Sequence, residues 1–419
     1  MSSDQVLENL LDWCIKHTNI LTAEDESPKK FDFIKYVKGK IFIKVLEMLI
    51  KKGKKVDMDF KKSINSCFSK EGIIQFVFGW YCRNTNLLSS KEPRSGRNFI
   101  HYATFLGCMP IVDCLLKVTS IKKKIFSSSY TNPVEDLINS CDHSGSTPLL
   151  IGSDEGHYEL ASLLLENGAK VNSQDENLWT PLHKASKNGY FDLACLLISF
   201  NANVNAQTKR YSTPLHLASK EGHLNLARLL IKNGAFVNAQ NKSFWSPLNI
   251  ASKCGHLDLA KLLLQNGAEA NNHTIRGLTA LHSASQQNNL ELALLLLEYG
   301  AQVNFPMFDY STPLDFAVEN GHLEMAKLLL QNGANVHRMN LQMWTPLHYA
   351  SKNGNVEMAK LLLRHGCDVN CQNSSLETPL HVALKSRNIQ VVNVLLQEDV
   401  NMDLKDENGR TVEDIASEN

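Results

Sequence analysis

Leucine returns every 33 residues along most of this chain, at Leu182, Leu215, Leu248, Leu281, Leu314, Leu347 and Leu380. Alanine keeps the same step three residues further on, at Ala185, Ala218, Ala251, Ala284, Ala317, Ala350 and Ala383. Residues three apart share one face of a helix, so each pair marks the apolar side of a short helix. A glycine such as Gly189 follows, where a left-handed residue stops a helix at no steric cost. A second apolar run comes next, for example FDLACLLI with Leu193, Ala194, Leu196 and Leu197, and predicts a second helix. A polar, extended stretch then leads to the next unit. The pattern therefore predicts an all-α chain of helix-turn-helix units, with leucines filling the space between units and alanines letting the paired helices come close.

Each unit opens on threonine or serine, at Thr147, Thr180, Thr213, Ser246, Thr279, Thr312, Thr345, Thr378 and Thr411. A hydroxyl there can accept a free N–H at the helix start, and the proline that usually follows needs no donor of its own. The phrase runs TPLL, TPLH, TPLH, SPLN, TALH, TPLD, TPLH, TPLH and TVED. A 33-residue period carrying T-P-L-H-x-A resembles the ankyrin repeat, over at least two thirds of the chain. The resemblance implies a solenoid of helix pairs joined by β-hairpin-like loops, one continuous curved stack, with partners held on the face made by hairpin tips and first helices. His183, His216, His282, His348 and His381 belong to the phrase and read as structural, bonded to the threonine hydroxyl or to loop backbone.

Eight regular repeats span 147–410, with a half repeat at 411–419. Upstream the register loosens. Asn98-Phe-Ile-His-Tyr-Ala with Gly107 and Cys114–Leu116 reads as one more repeat, and the segment from Ser63 as another, so 63–146 holds two divergent copies. Sixteen extra residues lie within 117–133, a basic and serine-rich stretch expected to form an exposed loop. Residues 1–62 read as an irregular helical N-terminal cap or a degenerate repeat.

Composition narrows the function. The 43 basic and 43 acidic side chains cancel, but 1–146 holds 22 Lys and Arg against 16 Asp and Glu, leaving 21 against 27 in the repeats. No secretory signal or membrane span is visible, and the ten cysteines show no metal-ligand spacing beyond Cys367 and Cys371, which read as ordinary thiols. The expectation is a cytoplasmic protein, with the nucleus left open. No nucleotide, hydrolase or metalloprotease motif occurs, so no catalytic, cofactor or metal residue is assigned and the chain is not expected to be an enzyme.

The residues just before each threonine are unusual. One before stand Trp179, Trp245 and Trp344. Two before, where the resembled family has glycine, stand Leu178, Tyr211, Phe244, Tyr310, Met343 and Leu376. Bulky residues disfavour positive φ, so an altered turn is expected at these tips. Beside them recur Lys187, Lys220, Lys253 and Lys352. The candidate partner-binding set is therefore Trp179, Lys187, Tyr211, Lys220, Phe244, Trp245, Lys253, Tyr310, Met343, Trp344 and Lys352. An aromatic, lysine-flanked groove suits a protein or extended peptide that is acidic with apolar anchors, and so a scaffold, an adapter or the recruiting subunit of a larger complex. Nucleotide or single-stranded nucleic-acid binding is the alternative, since rings beside basic side chains can stack bases, but the repeats are net acidic.

Overall fold

The computed structural model describes Lys91, residues 95–105, scattered positions from 107 to 116, and residues 133–418. The expected N-terminal cap, most of the earlier divergent repeat and residues 117–132 of the expected insertion lie outside the described residues. Pro133, the last residue of that insertion, opens a helix. The chain divides into two compact units at Lys209 and Arg210.

The first unit contains α1 (Phe99–Phe105), α2 (Pro133–Ile138), α3 (Pro148–Glu155), α4 (Tyr158–Glu166), α5 (Pro181–Asn188) and α6 (Phe191–Ser199). The second contains α7 (Pro214–Glu221), α8 (Leu224–Lys232), α9 (Pro247–Cys254), α10 (Leu257–Gln265), α11 (Ala280–Gln286) and α12 (Leu290–Glu298). It continues with α13 (Pro313–Glu319), α14 (Leu323–Gln331), α15 (Pro346–Asn353), α16 (Val356–Arg364), α17 (Pro379–Lys385), α18 (Ile389–Leu395) and α19 (Val412–Glu418). Among the described residues the one β-bridge joins His273 and Thr279.

Within each unit, consecutive first helices pack against one another and consecutive second helices do the same, giving two layers. The leucine and alanine columns are buried where they meet. Thr213 shows how a repeat starts: its N–H and hydroxyl both donate to His216 Nδ1, at 3.1 and 2.8 Å, and Pro214 follows in the first turn. The other ring nitrogen reaches forward. His216 Nε2 donates to the Trp245 carbonyl at 3.0 Å, and His348 Nε2 to the Glu377 carbonyl at 3.0 Å. Each such histidine thus closes its own helix cap and ties its repeat to the next. Burial pushes the imidazoles of His216, His282 and His348 down to about 4, so they are neutral and keep the single proton that this forward bond needs. In the first unit, His101 of α1 makes the same forward bond, to the Ser146 carbonyl at 3.1 Å.

The tips depart from the altered turn expected above. Leu178, Tyr211, Phe244, Tyr310, Met343 and Leu376 all adopt the left-handed conformation, with φ between 57° and 62°. The turn keeps the geometry that glycine would normally supply, because the surrounding bonds over-determine it. In most tips an Asp or Asn three residues earlier anchors the loop: Asn340 Oδ1 accepts from the N–H groups of Gln342 and Trp344, both at 2.9 Å. The Met343 N–H then closes on the Asn340 carbonyl at 2.9 Å. Each tip also donates one N–H to the preceding tip, as Leu341 does to the Asp309 carbonyl at 2.8 Å. Together these bonds hold a conformation that costs a bulky residue about 1–2 kcal/mol. Gly277 cannot be replaced in this way, since a Cβ there would lie 2.7 Å from Met307 Cα.

Candidate functional site

The second unit presents one continuous face built from hairpin tips and first helices, and the predicted residues divide into two kinds on it. The tryptophans are half-buried, each under a lysine from the end of the helix that follows it. Lys253 lies 4.8 Å from the Trp245 ring centre and Lys352 lies 5.4 Å from that of Trp344. The first unit repeats the arrangement, with Lys187 at 5.9 Å and Lys184 at 5.2 Å from Trp179. Lysine and tryptophan are therefore one element rather than two adjacent columns. No ring contact among the described residues joins two of these tryptophans. Trp344 instead leans on Tyr349, ring centres 5.1 Å apart, and Trp179 on His183 at 5.9 Å.

Tyr211, Phe244, Tyr310 and Met343 form the second kind, with exposed side chains pointing off the strained tips. Lys220 stands apart from both. Its repeat has Ser212 in place of tryptophan, and its ammonium pairs with Glu221 at 3.0 Å. Lys385, in the same column, is held between Glu377 at 2.7 Å and Asp406 at 2.8 Å. Among the described residues Lys253 and Lys352 have no such acidic partner, and each ammonium stays on its ring.

Two groups escaped the sequence reading. Ile275, Phe308 and Leu341, four residues before successive threonines, are 54%, 73% and 64% exposed on tips linked by the N–H to carbonyl bonds just described. Comparing that column from repeat to repeat would have found them. The other group is acidic. Asp315 takes the histidine position of the opening phrase, Glu319 takes the lysine position at the end of α13, and Asp309 lies in the tip before them. Asp315 Oδ2 accepts from the Thr312 N–H at 2.7 Å and from its hydroxyl at 2.9 Å, while Oδ1 is buried with no hydrogen-bond partner. Burial first, then the charges of Asp309 and Glu319, push the Asp315 carboxyl up to about 6.

Cys367 and Cys371 do not form a reactive pair. Burial is the main cause that pushes both thiols up to about 12, and among the described residues no cluster of three or more His, Cys, Asp or Glu side chains is placed to hold a metal ion. No described helix is long and apolar enough to cross a membrane.

The model of a protein family described as ankyrin repeats (3 copies) matches the chain at residues 43–175, 124–208, 182–274, 248–340 and 335–406. A comparison with curated proteins returned no match.

Proposed function

The chain belongs to the ankyrin repeat family, whose repeats are general protein–protein interaction modules, and from that premise we propose that it is a scaffold or adapter holding an extended segment of a partner protein on the face of tips and first helices. The observation that carries this reading is the pairing of Trp245 with Lys253 and of Trp344 with Lys352. Each pair offers an apolar wall and an unneutralised ammonium within one repeat, suited to an apolar anchor beside an acidic side chain. The exposed tip residues add apolar contact along the same edge. The chain acts by binding rather than catalysis, in the cytoplasm, either bridging proteins or recruiting one of them to a complex. Base stacking is disfavoured, because the tryptophan faces already carry lysines and the same surface bears Asp309 and Glu319.

The test compares partners captured from cells by the full chain with those captured by a Trp245→Ala, Trp344→Ala double variant of equal thermal stability. A specific partner lost from the double variant supports the reading. An identical set of captured proteins refutes it and moves the binding surface elsewhere.

A further inference from the structure

In the second unit the column that ends the first helices reads Lys220, Lys253, Gln286, Glu319, Lys352 and Lys385. The sign reverses at Glu319, and the reversal has company. Asp309 and Glu319 are exposed in the same repeat, and Asp315 lies buried between them in sequence. Asp315 and Glu319 lie four residues apart on α13, and Asp309 Oδ1 accepts the Ser311 N–H at 3.1 Å, one residue before the Thr312 N–H that Asp315 caps. All three also act on Tyr349 of the next repeat, raising its phenol to about 12 after the effect of burial. Among the described residues no cationic side chain forms an ion pair with any of the three; the neighbouring Lys352 stays on Trp344, and Lys327 pairs with Glu324.

Asp315 is a poor choice for the fold alone. Asn249, at the same position two repeats earlier, accepts the Ser246 hydroxyl at 2.7 Å through Oδ1 and donates its amide to the Asn272 carbonyl at 2.8 Å. Histidine elsewhere in the column also makes the cap and a forward bond, to a carbonyl 29 residues on. An aspartate can make the cap but not the forward bond, and it leaves Oδ1 unpartnered in a nearly fully buried place. It adds a negative charge to a repeat that already carries two others, and that charge is felt by Tyr349, whose ring packs on Trp344. Carboxylates beside aromatic faces are what an ammonium or guanidinium requires.

We propose that the partner segment carries an arginine or lysine that seats between Asp309 and Glu319, over Asp315, with acidic residues opposite Lys253 and Lys352. This rests on the binding face assigned above. Neighbouring helices sit about 8–10 Å apart, and an extended peptide advances about 3.3 Å per residue, so one repeat corresponds to about three residues. Lys352 is one repeat from Glu319 and Lys253 is two. The partner's basic residue is therefore about three residues from one acidic residue and about six from another, on opposite sides.

Random 16-residue peptides displayed on phage, selected against the full chain, test this directly. The expected peptides carry the basic residue at that spacing, and bind Glu319→Lys at least tenfold more weakly. Replacing the peptide's basic residue by glutamate restores binding to Glu319→Lys. Asp315→Asn weakens them several-fold while raising the melting temperature, a divergence that a purely structural role would not give. Peptides lacking a basic residue, or insensitive to Glu319→Lys yet lost with Trp245→Ala and Trp344→Ala, overturn the cation site and leave the binding face standing. Peptides indifferent to all of these changes, or a selection that yields none, overturn both.

Discussion

The ammonium of Lys253 rests 4.8 Å from the centre of the Trp245 ring, reaching back from the last turn of the helix that Ser246 caps. The first turn and the last turn of one short helix are thereby joined into a single surface element. A pair of this kind at a half-exposed site contributes about 0.5–1 kcal/mol to the fold.

Trp245→Ala and Trp344→Ala should each therefore lower stability by no more than about 1–2 kcal/mol, while each weakens partner binding by about 2 kcal/mol, roughly thirtyfold. Calorimetric titration with a selected peptide, on proteins whose melting is measured in parallel, separates the two effects. A loss of affinity that tracks the loss of folded protein would assign the rings to structure alone.

Asp315→Asn should stabilise the second unit. The folded carboxyl titrates at about 6 against an ordinary value of 3.8, so the folded state holds its proton more tightly than the unfolded one. That gain is complete below pH 3.8 and is lost as pH rises through about 6, leaving a deficit on the order of 3 kcal/mol at neutral pH. The variant should exceed the parent most at pH 7, and the difference should close by about pH 4. Denaturant unfolding at several pH values measures it, and a constant difference would remove titration as the cause. The buried histidines contribute with the opposite sign. Their folded values near 4 mean that stability falls as pH drops from 6.5 towards 4, in parent and variant alike.

Tyr310→Gly and Met343→Gly should raise stability by about 1 kcal/mol each, since glycine adopts φ near 60° without strain. The gain is partly offset by the greater freedom of glycine in the unfolded chain. Both changes should weaken partner binding if the exposed side chains contact it. Destabilisation instead would mean that the side chains brace the neighbouring tips.

His348→Ala should cost about 2–4 kcal/mol, because the Thr345 N–H and the Glu377 carbonyl both lose a buried partner. His348→Asn should recover part of that, as Asn249 keeps the cap in its own repeat and ties forward to a different carbonyl, that of Asn272. Melting temperatures of the two variants decide it, and equal losses would show that ring packing outweighs the hydrogen bonds.

The helices and the core were legible residue by residue. Leu182 and Ala185 lie in register with their columns because each repeat buries the same positions against like neighbours, and Thr-Pro with a following glycine fixes where a helix begins and ends. The pairing of Trp245 with Lys253 was half legible: both columns could be read, but not that a lysine eight residues on folds back over the ring. The tips were misread. Local preference disfavours left-handed Tyr310 or Met343, and the bonds between successive tips, with the Asn340 carboxamide at Met343, make it tolerable.

The sequence by itself thus determined the repeat, its apolar columns and the kind of surface that such a stack offers, since these follow from periodic burial between near neighbours in the chain. Tertiary structure alone decided which charges on that surface remain unneutralised. Lys385 and Lys352 share one column, yet Glu377 and Asp406 neutralise the first while the second sits on an indole. Asp309, Asp315 and Glu319 became a cluster only when the tip and the first helix of one repeat were folded together beside Tyr349. Charge pairing acts over a few ångströms in space, and no column of residues read along the chain carries that distance.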